Sequence, residues 1–171
     1  MKKHSVLLFV LLLSVVAVAT QQEFPGIKNF LRVNEQVCTG GQPTMDDLAK
    51  MKAQGIKAII NLRMASEYNA EEEAAKAKEL GLRYFHIPVN GAEPKAENAD
   101  EFLKVTDDPK NRPAFIHCAA ANRVGAFWMI RRVLKDAWKP EDAEAEAKKI
   151  GLRSPVLRDF AMQYIQEHQK K

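Results

Sequence analysis

The sequence predicts an α/β fold: a mostly parallel central sheet flanked by helices. Three observations carry this. Short apolar runs at Ala58–Leu62, Arg83–Ile87 and Pro113–His117 have the length of strands. Each is separated from the next by a stretch with helical spacing, and strict alternation of strand and helix favours parallel pairing with helices on both faces. The boundaries are marked by residues that start or stop helices, namely Thr44, Gly55, Gly81 and Pro140, and by Pro88, which stops a strand.

Taken in order, Leu31–Val33 and Gln36–Thr39 are two extended runs joined by Asn34-Glu35, which reads as a hairpin. Gly40-Gly41-Gln42-Pro43 is a turn. Thr44 then stands as an N-cap with Asp47 three residues on, the pattern of a capping box, and the helix it opens ends at Gly55. Ala58–Leu62 is a strand with little polar content. Ala70–Leu80 is a helix with acids first, lysines later and Gly81 at its end, which suits the helix dipole. After the strand Arg83–Ile87, a helix runs from about Asn98 to Val105. The strand Pro113–His117 leads into a helix over Val124–Leu134 that is apolar nearly all round, so Phe127 and Trp128 read as core. A helix opening at Pro140 follows, and a last one carries Leu157, Phe160, Ala161, Tyr164 and Ile165 on one face.

The first residues differ from the rest. Lys2 and Lys3 precede an uncharged run, Ser5 to Val18, too short for a bilayer span, and Ala17-Val18-Ala19 has the small-x-small form of a cleavage site. Residues 1–19 therefore read as a signal peptide and 20–171 as one domain. The expected location is outside the cytoplasm, periplasmic or extracellular, with no stable membrane association once the leader is removed. The leader holds two of the 26 basic residues, leaving 24 against 22 acids and a net charge of +2. That balance, without a basic stripe interleaved with aromatics, argues against a nucleic-acid partner. Two cysteines make neither a disulfide framework nor a zinc pattern, and the histidines lie far apart, so no metal and no cofactor is expected. Cys38 is the one cysteine available to pair with Cys118, which would require Cα atoms within about 7 Å.

The informative stretch is Phe115-Ile116-His117-Cys118-Ala119-Ala120-Ala121-Asn122-Arg123-Val124-Gly125-Ala126. An apolar strand runs into a cysteine, four short residues, and an arginine that opens a helix. Backbone N–H groups of such a loop can turn inward as a concave anion site, with Ala119, Ala120, Ala121 and Asn122 as its wall. The helix N-terminus adds unpaired donors and partial positive charge. Arg123 supplies a planar fork matched to two phosphate oxygens. Cys118, at the floor, is the candidate nucleophile, with a buried structural cysteine as the alternative: a thiolate beneath a bound phosphate can attack in line and split hydrolysis into two steps through a cysteinyl-phosphate.

His117-Cys118 with Arg123 and Gly125 resembles the signature loop of protein tyrosine and dual-specificity phosphatases. The chain is still more similar to a bacterial phosphatase-like family sometimes fused to metallo-β-lactamase-like hydrolases. It shares with that family Gly41-Gln42-Pro43, Ile60-Asn61-Leu62-Arg63 and His117 to Gly125, in the same order, over about residues 28 to 165. The resemblance implies the phosphatase fold, Cys118 as nucleophile, Arg123 as phosphate clamp, and His117 as a residue that orients the cysteine. There are departures. Four residues separate Cys118 from Arg123, where common phosphatases have five. Ala121 stands where related loops carry a glycine, and Val124 where they carry Ser or Thr.

Ligands of parallel sheets bind outside the carboxyl ends of the strands. Arg63, the Pro88–Pro94 segment and Cys118 should share that edge, so Arg63 is a candidate for substrate binding. A general acid would sit on the loop before the catalytic strand; that segment has no Asp, and Glu93 is the candidate. The leading expectation is a phosphoester hydrolase acting on a phosphorylated substrate of unstated class. Two alternatives stay open: a rhodanese-type sulfurtransferase, against which His117 and the early Gly-Gln-Pro and Asn-Leu-Arg elements argue, and a non-catalytic phosphate binder, favoured by Ala121, Val124 and the missing Asp.

Overall fold

The computed structural model describes residues 23–169. The expected leader and its cleavage site lie outside them. Five strands, β1 (Leu31–Asn34), β2 (Val37–Gly40), β3 (Ala58–Asn61), β4 (Arg83–His86) and β5 (Ala114–His117), form one sheet in the order β1-β2-β5-β3-β4. Only β1 and β2 run antiparallel; β2–β5, β5–β3 and β3–β4 are parallel. The mostly parallel sheet read from the alternation is thus the one observed.

Six helices cover it: α1 (Met45–Ala53), α2 (Ala70–Glu79), α3 (Ala96–Asp107), α4 (Asn122–Leu134), α5 (Pro140–Ile150) and α6 (Pro155–Gln169). Because β2, β3 and β5 are covered on both faces, every residue in them is buried and their side chains serve two cores in alternation. On one face, Ile60 and Ile116 pack with Phe102, Phe127, Trp128 and Leu157 from α3, α4 and α6. On the other, Cys38, Ile59 and Phe115 pack with Leu48, Met51 and Ala77 from α1 and α2. Among the described residues no helix is long and apolar enough to cross a membrane.

Local chemistry fixes the element ends. Thr44 Oγ1 accepts from Asp47 N–H at 3.1 Å while the Asp47 carboxylate accepts from Thr44 N–H at 3.0 Å, completing the capping box. Two boundaries differ from the sequence reading. Helix α3 starts at Ala96 rather than near Asn98, because the Asn98 side chain turns back to accept from Lys95 N–H and caps the earlier start. Helix α4 starts at Asn122 rather than Val124, which brings Arg123 into its first turn. A 3-10 turn at Pro109–Asn111, not anticipated, joins α3 to β5.

The two cysteines are held apart. Cys38 pairs with Phe115 across the sheet, three positions before Cys118, an offset of about 10 Å at the rise of a strand. They also belong to opposite cores. A direct Cys38–Cys118 disulfide is excluded without large backbone movement. Burial pushes the Cys38 thiol up to about 11.

Helices α4 and α5 cross closely at Gly125. A Cβ there would lie 2.7 Å from the Ala147 carbonyl oxygen and 3.0 Å from the Leu152 backbone nitrogen, neither of which can swing aside. Gly125→Ala should therefore lower stability by about 1–3 kcal/mol, the cost typical of overpacking. A urea titration would show a lower midpoint at unchanged slope.

Candidate active site

Cys118 lies at the carboxyl end of β5, followed by a loop that turns into α4. Cys118, Ala119, Ala120, Asn122 and Arg123 line one cavity of about 360 Å³ with Glu67, Gly91, Ser154 and Leu157. The first bond of the α4 ladder closes from Gly125 N–H to Ala121 O at 3.0 Å. The N–H groups of Asn122, Arg123 and Val124 consequently have no partner within the helix, as an anion cup requires.

Ala121 adopts φ 62, ψ 6, the left-handed conformation that favours glycine. It is fully buried, and a side chain on Gly151 would meet its Cβ at 3.1 Å. Ala121 therefore shapes the loop from behind, while Ala119, Ala120 and Asn122 form the wall. The Asn122 side chain turns away from the cup: its Oδ1 accepts from the N–H groups of Arg153 and Ser154 at 2.9 and 3.2 Å, tying the loop to the α5–α6 connection. Gly41 backs the loop on the other side, where a Cβ would come within 2.9 Å of Ala119 O. That close approach accounts for the glycine of Gly41-Gln42-Pro43.

Arg123, 8% exposed, is fixed by Glu67, a residue the sequence reading did not single out. Nη1 and Nη2 each donate to a Glu67 carboxylate oxygen at 2.7 Å, and Nη1 also donates to Val89 O at 2.9 Å. A guanidinium has five N–H groups on two usable edges. Glu67 and Val89 occupy the end edge and leave Nε and the second Nη2 proton as a fork. Burial opposes the charge on Arg123, but its hydrogen bonds to Glu67, the Glu67 charge and the neighbouring Cys118 together outweigh it, so its pKa is raised. Glu67 in turn is held below the usual carboxylate range, mainly by its hydrogen bonds with Arg123.

Arg63 does not line the cavity. It braces the loop that carries Glu67: Nη2 donates to Glu67 O at 2.7 Å, and Nη1 to Gln42 Oε1 at 3.0 Å. Glu93 is exposed in a turn and is not on the cavity wall; its segment contributes Val89 O and Gly91 instead. His117 is fully buried, with Nε2 3.3 Å from Oε1 of Glu73 but off the line of a good hydrogen bond. Glu73, also 0% exposed, accepts from Gln42 Nε2 at 2.9 Å, Asn61 Nδ2 at 2.9 Å and Tyr84 Oη at 2.7 Å. Burial alone would push this carboxyl up. His117 and the Tyr84 and Gln42 donors prevail, and its pKa is lowered.

Residues 16–155 match the family described as DSP-PTPase phosphatase fused to NAD+ Kinase. The chain belongs to this phosphatase family. Over 126 residues it is 29% identical to the Beta-lactamase hydrolase-like protein of Agrobacterium fabrum, covering 71% of this chain and 29% of that one. The chain thus spans less than a third of that relative's length. The fold is shared with the DUF442 protein of Shewanella putrefaciens CN-32, at a TM-score of 0.72 and 21% identity over 85% of this chain and 97% of that one. It is also shared with the core catalytic domain of the PP-IP phosphatase SIW14 of S. cerevisiae, at 0.65 and 21% over 82% and 85%. The family resemblance carried by the Gly-Gln-Pro, Asn-Leu-Arg and Cys-to-Arg elements therefore holds.

Glu67→Gln should keep the fold and loosen the clamp. Glu67 is partly exposed, so stability should change by no more than about 1 kcal/mol. Phosphate turnover should fall roughly ten- to a hundredfold from misplacement of Arg123. In the unsubstituted protein the brace is complete at neutral pH, above the ordinary carboxylate range. Since the folded-state pKa is depressed, the brace is lost only as pH falls through that lowered value. Steady-state kinetics beside thermal melts would separate the two effects.

Proposed function

We propose that the chain is an exported phosphoester hydrolase in which Cys118 forms a cysteinyl-phosphate. The observation that carries this reading is the shared cavity: the Cys118 sulfur and the unoccupied edge of Arg123 face one cup at the start of α4. A phosphate seated there would be gripped by Arg123 and the first-turn N–H groups. The thiolate would form a P–S bond as the P–O bond to the leaving group breaks. Water would then attack phosphorus, break the P–S bond and return the thiolate.

Protonation of the leaving oxygen is the step with least support from side chains. Glu93 stands off the cavity wall. Glu67 reaches the cavity, but a carboxylate held below its ordinary range by Arg123 is ionised at neutral pH and has no proton to give. The enzyme should favour substrates whose leaving oxygen needs little protonation, such as aryl phosphates.

Cys118→Ser should abolish hydrolysis of an activated aryl phosphate while phosphate still binds the cup. Arg123→Lys should lose most of the rate, since a point charge cannot reproduce the fork. Thiocyanate formation from thiosulfate and cyanide that depends on Cys118, without phosphate release, would move the assignment to the sulfurtransferases. Phosphate binding with neither activity would leave a binding module. For export, mass spectrometry of the extracytoplasmic fraction should find the mature chain beginning at Thr20 or a near neighbour. Recovery of the intact chain from the cytoplasm alone would refute that part.

A further inference from the structure

A second depression adjoins the catalytic cup. It also measures about 360 Å³ and is lined by Lys148, Leu152, Arg153, Ser154, Pro155 and Arg158; Ser154 belongs to both cavities. No acidic residue lines it. Glu144 neutralises part of the rim, pairing with Lys148 at 2.7 Å and Arg158 at 2.9 Å, and Arg158 also meets the exposed Asp159 at 3.2 Å. Arg153 is different. No carboxylate pairs with it among the described residues. Nη1 is held by the carbonyls of Lys148 and Leu152, which anchors the guanidinium at the end of α5 while Nε and Nη2 retain their donors.

This cation is in fixed relation to the cup. The backbone N–H groups of Arg153 and Ser154 both donate to Asn122 Oδ1, and Asn122 belongs to the Cys118–Arg123 loop. Both cavities also have apolar walls: Leu157 in the cup, Leu152 and Pro155 in the depression. The arrangement has two cationic positions in adjoining cavities with apolar walls, linked through one asparagine.

We propose that the depression at Arg153 is a second anion subsite, so that the preferred substrates are compact phosphoesters carrying a further phosphate on the same small molecule. This rests on the reading of Cys118 and Arg123 as the hydrolytic site. One phosphate sits in the cup. The skeleton lies over Leu157 and Pro155, and the second phosphate meets Arg153 with Lys148 behind it. A phosphoprotein is disfavoured, because this subsite recognises no backbone and asks for a second strong anion close to the first.

The test compares fructose 1,6-bisphosphate with fructose 6-phosphate, and with a singly phosphorylated serine peptide whose leaving oxygen is likewise an alcohol, in the unsubstituted protein and in Arg153→Glu and Arg153→Lys. The bisphosphate should be favoured over the monophosphate by about tenfold or more in kcat/KM, the equivalent of one ion contact of about 1.4 kcal/mol. Arg153→Glu should erase that preference, and Arg153→Lys should restore part of it. Equal use of the two sugars, a loss in Arg153→Glu that falls equally on both, or a clear preference for the peptide would overturn the proposal. Binding to Cys118→Ser separates this from failure of the hydrolytic reading. If no substrate is turned over but the bisphosphate still binds more tightly than the monophosphate in an Arg153-dependent way, the subsite stands and the hydrolase does not. If the two bind alike, the subsite falls whatever the activity.

Discussion

The site depends on one buried carboxylate. Glu73 has no exposure, and an ionised group in that position is costly unless every nearby element supplies a partner. Here they do: Gln42 from the turn after β2, Asn61 from β3, Tyr84 from β4, and His117 alongside from β5. The carboxylate therefore fixes the relative positions of the turn and three strand ends on the edge where Cys118 emerges. Removing one partner would leave the charge short of a donor, so these polar positions act together as a single constraint.

Two of those donors continue outward. Gln42 gives its amide N–H to Glu73 and offers its oxygen to Arg63, while Asn61 gives its amide to Glu73 and takes the Arg63 N–H at 2.8 Å. Arg63 holds the backbone of Glu67, and Glu67 holds the end edge of Arg123. The succession from Glu73 to Arg123 is an unbroken run of polar contacts from the interior to the cavity. Its consequence is orientation: an arginine side chain has several rotatable bonds, and a fork already aimed loses less freedom on binding an anion.

The architecture was legible because strand lengths, capping residues and glycine stops all pointed the same way. The Cys118–Arg123 loop was legible because short residues between a strand and a helix leave a backbone cup little alternative. The supporting shell was harder to read. Glu67 looks like any loop acid, and its role depends on a partner 56 residues away. Glu73 falls among the acids at the start of α2, where a dipole role explains it equally well. A finer signal was present: Ala70, Glu73 and Ala77 share the buried stripe of that helix, which places one acid in the core. Arg63 follows a strand on the predicted edge, but topology fixes only the edge, and its side chain turns to Gln42 and the loop that carries Glu67. Glu93 lies in a segment on that edge, but the segment reaches the cup through Val89 O and Gly91 instead.

Ala121 and Val124, the two departures in the loop, have a common physical origin. Val124 is fully buried in the core shared with α5 and α6, so the position of a potential hydroxyl beside the sulfur has been given to packing. Ala121 is buried in the same core, and the energy of its left-handed backbone, roughly 1–2 kcal/mol, must be met by contacts the fold makes elsewhere. Those contacts come from α5 and its connection to α6: Gly151 leaves room behind Ala121, and Gly125 lets α5 approach α4. The Cys118–Arg123 loop is thus held by apolar packing from behind and by Asn122 from the side. The same α5–α6 connection that secures the loop also carries Arg153, so one connection both holds the Cys118–Arg123 loop in place and sets a cation beside its cavity.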